Sequence, residues 1–287
     1  MTLIKKCGLS LLALFTAFQA HGASVWKVSS DISSLYIGGT IHLLTPQDYP
    51  LPSAYNDAYQ AADKIVFETN MATISTPKFH RYMQTQLSYN DGTTIDQVIN
   101  KDTYHALSVY LAARQIPMMA VENLKPSALA MSLSMIELKH LGFTSEGVDQ
   151  FYARLALEEN KPIGWLEAPE EQVAMLDAIN QQDSNAIINY ALSDIKNMPY
   201  TMKSLKRSWR TGDMEALAEL ELGHFKEEFP DVYQSLLADR NAHWMPQIEH
   251  MLSTNDVEMV MVGAMHLAGD DGLLAMLRDR GYKITKM

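Results

Sequence analysis

Two histidines of this chain stand in the same local context. Leu35-Tyr36-Ile37-Gly38-Gly39-Thr40-Ile41-His42 and Val260-Met261-Val262-Gly263-Ala264-Met265-His266 are apolar runs that close on Gly-x-x-His. A loop and a helix-like pattern follow each. Two other strand-like runs, 63–68 and 162–167, end in carboxylates, Glu68 and Glu167. Ligands of open α/β sheets collect outside the carboxyl ends of the strands, which makes His42, Glu68, Glu167 and His266 the candidates. Gly38, Gly39 and Gly263 clear space beside the imidazoles. Neutral imidazoles with a carboxylate suit zinc, manganese, cobalt or iron. Three protein ligands leave a position for water, whose pKa the metal lowers. The plainer alternative is that each histidine is structural or solvated. Gly-x-x-His is a far weaker signal than His-Glu-x-x-His on one helix, and on the residues alone the two readings stand level. His80, His105, His140, His224, His243 and His250 carry no such context and read as surface or core residues.

A second anomaly lies on the helix expected at 231–241. Phe229, Val232, Tyr233, Leu236 and Leu237 form an apolar stripe whose next members are Arg240 and Asn241. Trp244 and Ile248 resume it across Pro246, where a kink is expected. An inward guanidinium and amide need partners. Arg240 can pair with a carboxylate of the site, clamp a substrate carboxylate or carbonyl, or belong to a structural ion pair. Asp149, following Gly147-Val148, is read as near a helix start, with an N-cap as its plain role. The 18 methionines fit core filling better than copper or haem binding.

The elements that must position these groups alternate. A hairpin is expected over 24–42, with strands at 63–68, 116–121, 162–167, 257–266 and 282–285. Helices are expected at 53–62, 76–86, 101–114, 126–141, 148–160, 170–181, 185–196, 213–222 and 269–280, the last stopped by Gly281. Strands separated by helices pair in parallel through crossovers. The class is therefore α/β, a mixed sheet with surrounding helices and a helical insertion between positions 167 and 256. No tandem repeat and no linker divides the chain, so residues 23–287 read as a single domain.

Residues 1–22 read as a secretory signal peptide: Lys5 and Lys6, a short apolar core, then Ala20-His21-Gly22-Ala23. Cys7, the only cysteine, falls inside it, so no disulfide and no cysteine ligand is expected in the mature chain. The net charge of −11 becomes −13 without Lys5 and Lys6. With no basic face, nucleic acid is not an expected partner. A periplasmic or secreted protein without a transmembrane domain is the expectation.

Together these stretches resemble the TraB/GumN family. The resemblance rests on the hairpin with Trp26, on Gly39-Thr40-Ile41-His42 and on Phe67-Glu68. It continues through Gly147-Val148-Asp149, Leu166-Glu167, Arg240-Asn241 and Gly263-Ala264-Met265-His266, spanning about positions 26 to 282. The Tiki metalloproteases and the pheromone-shutdown proteins are similar to the same group. The resemblance implies a fold related to erythromycin esterase and haem-binding ChaN. It also implies a divalent metal (manganese, cobalt or zinc) held by His42, Glu68 and His266, with Arg240 and Asn241 matching the family's Arg-Asn pair. The expected function is an exported metal-dependent hydrolase, a peptidase first and a small-molecule esterase second. Glu68 would act as ligand or general base, and Arg240 with Asn241 would orient the peptide or small-molecule substrate or stabilise an oxyanion. The rival expectation is a periplasmic binding protein for a peptide, haem or signal molecule.

Overall fold

The structure is a computed structural model, and it describes residues 22–287. The expected leader, apart from Gly22, lies outside the described residues. A six-stranded mixed sheet forms the centre. Its strands are β1 (Val25–Ser29), β2 (Ser34–Thr40), β4 (Lys64–Thr69), β6 (Ile163–Glu167), β7 (Glu258–Gly263) and β8 (Lys283–Lys286). The spatial order is β6-β4-β7-β2-β1-β8. β6, β4, β7 and β2 pair in parallel, and β1 runs antiparallel to both β2 and β8. The hairpin and the parallel pairing follow the sequence expectation. The ends of β2, β4, β6 and β7 therefore share one edge of the sheet.

Strand alternation sorts the core onto two faces. Ile65, Phe67, Met259 and Met261 pack on one side with Tyr55, Tyr59, Tyr152 and Trp209. Val66, Leu166, Val260 and Val262 pack on the other with Trp244, Ile248 and Leu273. Burial on both faces explains why these strands read as nearly continuous apolar runs. A separate helical core, including Leu107, Leu129, Leu133, Ile188 and Leu192, lies within the helical segments that follow β4 and β6.

Two expectations need correction. The apolar run at 116–121 forms no strand; Met118–Ala120 is a 3-10 turn. Gln115 takes a positive φ of 57° at the end of the preceding helix, and Pro117 has no N–H to offer a sheet. The helix expected at 185–196 runs instead over Ser184–Thr211, with Pro199 inside it, and stops at Gly212 with φ 62°. Its added turns bring Trp209 into the sheet core. Pro246 likewise sits within Asp239–Met251 without ending that helix. Among the described residues no helix is long and apolar enough to cross a membrane.

Candidate functional site

The end of β2 is pinned before it delivers His42. Tyr55 and Trp209, both fully buried, donate from Oη and Nε1 to the Gly39 carbonyl, the indole at 2.8 Å. A two-residue strand, β3 (Leu43–Leu44), then pairs antiparallel with β5 (Ser145–Glu146). This pairing brings the start of helix Val148–Glu158 against His42. The Val148 N–H donates to the Ile41 carbonyl at 3.0 Å. A Cβ on Gly147 would lie 2.3 Å from the backbone of His42, so only glycine fits this crossing. Asp149 is thereby aimed at His42, with Oδ2 3.0 Å from Nδ1. Gly147 holds the N-cap position, so the capping role expected for Asp149 is replaced by pairing with an imidazole. The carboxylate of Asp149, with the charge of Glu68 beyond it, raises the His42 pKa to about 9. The His42 side chain is 68% exposed, and among the described residues its Nε2 has no hydrogen-bond partner.

The other half of the site is buried. β7 runs into a 3-10 turn, Ala264–Leu267, that carries His266. The His266 ring is fixed from both nitrogens. Arg240 Nη1 lies 2.9 Å from Nε2, and Asn241 Oδ1 lies 2.8 Å from Nδ1. A guanidinium can only donate, so Nε2 accepts and Nδ1 carries the hydrogen. Asn241 Nδ2 donates to the carbonyls of His266 and Asp271, which fixes the amide to match. Burial, with help from the Arg240 charge, pushes His266 down to about 4 against the pull of Glu68. The imidazole is neutral at physiological pH. Trp244 floors it, with ring centroids 4.5 Å apart.

Arg240 is the hub. Nε donates to Glu167 Oε2 at 3.2 Å, and Nη2 donates to Glu167 Oε1 and Glu68 Oε2, both at 2.6 Å. Nη1 reaches the Leu236 carbonyl at 3.1 Å as well as His266. All five guanidinium hydrogens are engaged, so Arg240 can reach a substrate only by giving up a present partner. Glu167 also accepts from Trp244 Nε1 at 3.0 Å and Gln172 Nε2 at 2.9 Å. Its two oxygens are committed to holding Arg240, Trp244 and Gln172. Glu68 Oε1 accepts the Gly263 N–H at 2.6 Å. A Cβ at Gly263 would crowd that oxygen at 3.3 Å. Burial works to raise the Glu68 pKa. His266, which is protonated below about 4, together with Arg240, His42 and the Gly263 N–H, overcomes it and holds the carboxyl at about 2. A carboxylate that acidic is a weak proton acceptor and a good anionic donor.

The structure thus brings Glu68, Glu167, Arg240, Asn241 and His266 into one network, and the exposed His42 stands near enough for its charge to act on Glu68 and His266. Among the described residues His80, His105, His140, His243 and His250 take no part in this network. Sequence reasoning missed Gln172, whose helical position carries no local signal. It also missed the pairing of Asp149, although the Gly147-Val148-Asp149 stretch was noticed. Among the described residues no three histidine, cysteine or carboxylate side chains stand at the spacing of a metal site. Glu68 Oε1 lies 3.8 Å from His266 Nε2, and Arg240 bonds to both residues. The donors nonetheless suit a divalent cation in kind. They are an anionic carboxylate and two imidazoles whose Nδ1 atoms are held by Asp149 and Asn241, the outer partners typical of ligating histidines. Asp149 Oδ1 is a further buried oxygen without a partner.

The TraB/PrgY/gumN family matches residues 24–286. The chain belongs to that family. It is also similar to the uncharacterized protein YbaP of Escherichia coli K12, with 24% identity over 241 residues, 84% of this chain and 86% of YbaP. YbaP of Shigella flexneri matches to the same extent. No solved structure matches the chain.

Proposed function

We propose that this family member is an exported metal-dependent hydrolase, with peptides as its first substrate class, working at the shared edge of β2, β4 and β7. The observation that carries the reading is the fixing of two imidazoles by partners from elsewhere in the fold. Asp149 orients His42 and Asn241 orients His266, each through Nδ1, beside a carboxylate held at about 2. His42, Glu68 and His266 would hold the metal. When bound, a divalent metal supplies Lewis acidity and water activation. The chain's own residues supply the frame: Glu167 and Gln172 hold Arg240, Trp244 floors His266, and Asn241 keeps Nε2 unprotonated. Asn241 acts through His266 as a positioning residue. Arg240 orients substrate or steadies an oxyanion once it releases Glu68 or His266.

The test is metal content by mass spectrometry on untagged protein, then activity against a peptide library with manganese, cobalt or zinc. Metal uptake and cleavage should both fall in His42→Ala and His266→Ala. Cleavage that survives both substitutions removes the metal assignment. One observation favours a second reading, a binding protein that does not turn its ligand over: Arg240 bonds directly to Glu68 and His266. Peptide or haem binding without metal uptake or cleavage would select it.

A further inference from the structure

The helical layer beside the site leaves two joined cavities. One, of about 310 Å3, is lined by apolar side chains that include Met131, Ile187, Phe225, Val232 and Leu236. The other, of about 750 Å3, is more polar and includes Asn189, Ser193, Asn197 and Thr201. Tyr190, Asp194 and Phe229 line both, so the cavities meet at those residues. Leu236 connects them to the site: it lines the apolar cavity, and its carbonyl accepts from Arg240 Nη1 at 3.1 Å. Two π-helical segments, Ala218–Leu222 and Gln234–Ala238, border the pair. Leu220 of the first lines the polar cavity, and Leu236 of the second lines the apolar one. Such wide turns recur at functional sites.

Two polar groups here lack partners. The hydroxyl of Ser127, which lines the apolar cavity, is buried without a hydrogen bond. Asp194, at the junction, has no hydrogen-bond or ion-pair partner among the described residues, and burial pushes its carboxyl upward. Neither cavity has lysine or arginine among its described lining residues. The junction therefore favours a cation, and a volume near 310 Å3 lies at the small end of ligand pockets.

We propose that the joined cavities are the substrate groove: they take a peptide with a bulky apolar side chain next to lysine or arginine, the first in the apolar cavity and the second at Asp194. What happens to the bound peptide rests on the hydrolase reading; its binding does not. Titration calorimetry of the full protein, with chelator present to stop turnover, tests the groove. The probes are acetyl-Gly-Phe-Lys-Gly-amide and its Phe→Ser and Lys→Glu analogues. Each analogue should bind about tenfold or more weakly. Asp194→Asn should abolish the preference for lysine over glutamate and keep the preference for phenylalanine. Ala130→Phe, which fills the apolar cavity, should do the reverse. If Ala130→Phe fails to melt cooperatively, Met131→Lys, at a partly exposed position, takes its place. Equal binding of the three peptides, no binding at all, or preferences that survive these substitutions overturns the groove. Cleavage is then measured separately with metal added. Selective binding without cleavage upholds the groove and removes the hydrolase reading, and cleavage without selectivity does the opposite.

Discussion

Replacing Arg240 by methionine keeps much of the volume over Trp244 and removes the charge. In the native arrangement the Arg240 side chain is 13% exposed and bridges Glu68, also 13% exposed, and Glu167, at 4%. Without the guanidinium, Glu68 and Glu167 face each other with Gln172, Trp244, the Gly263 N–H and the His266 ring, 3.8 Å from Glu68, left to hold them. Breaking a buried ion pair from one side typically costs ~3–5 kcal/mol, because the remaining charge is uncompensated. For a domain of this size each kcal/mol moves Tm by about 2–4 °C, so Arg240→Met should melt about 6–20 °C lower at pH 7. The pH dependence has a definite sign. Glu68 is depressed to about 2 in the native protein, so its stabilisation is present above the ordinary glutamate range and is lost as pH falls through 2. In Arg240→Met one of the cations that lower it is gone, and its carboxyl takes up a proton at higher pH. The gap between native and variant should therefore be widest near neutrality and narrow on acidification from about pH 5. Denaturant melts of both proteins in chelator, at pH 7 and pH 4, measure this. A loss under ~1 kcal/mol at pH 7, against the range expected for a buried pair, or a gap that does not narrow, would refute the clamp.

Three further outcomes follow from other parts of the structure. Asp149→Asn should lower divalent-metal affinity by about 10–100-fold, the usual effect of losing a ligand's outer partner, and titration with manganese reads it; unchanged affinity detaches His42 from the metal. Gly147→Ala should destabilise by ~3 kcal/mol or more, because a Cβ 2.3 Å from the His42 backbone forces the β3–β5 crossing apart; a melt within 1 °C of native would show that the crossing yields freely. Glu258 is raised, first by burial and then by Asp256, and its Oε2 is buried without a partner. A carboxyl raised on folding costs stability as pH climbs through and above the ordinary glutamate range. Glu258→Gln should therefore raise Tm at pH 7 and leave it unchanged at pH 4, and a gain at both pH values would point to packing instead.

Much of the fold was legible because its signals are local. The parallel strands are covered on both faces, so they appear as uninterrupted apolar runs, and the glycines and carboxylates at their ends mark one edge. The run at 116–121 has the same composition but begins Ile116-Pro117, and the missing N–H outweighed its apolar character. The length of the helix Ser184–Thr211 was not legible for a related reason. The expected helix stops at 196, short of Pro199, whereas burial of Met198, Ser208 and Trp209 accompanies the helix through that proline.

The site divides along the same line. A guanidinium and an amide interrupting an apolar stripe are visible in one dimension, and Arg240 and Asn241 do face inward. Their division of labour is not visible there. Arg240 exhausts its five donors on four residues from separate parts of the chain, and Asn241 reads the tautomer of an imidazole 25 residues away. Asp149 lies 107 residues from His42 and is delivered by a crossing that tolerates no side chain at Gly147. Sequence patterns report which faces a residue shares with its own element, and a hydrogen bond between elements depends on how the elements are stacked. The residues left unexplained by their own helix or strand therefore converge in one network, and the partners of those residues had to come from the fold.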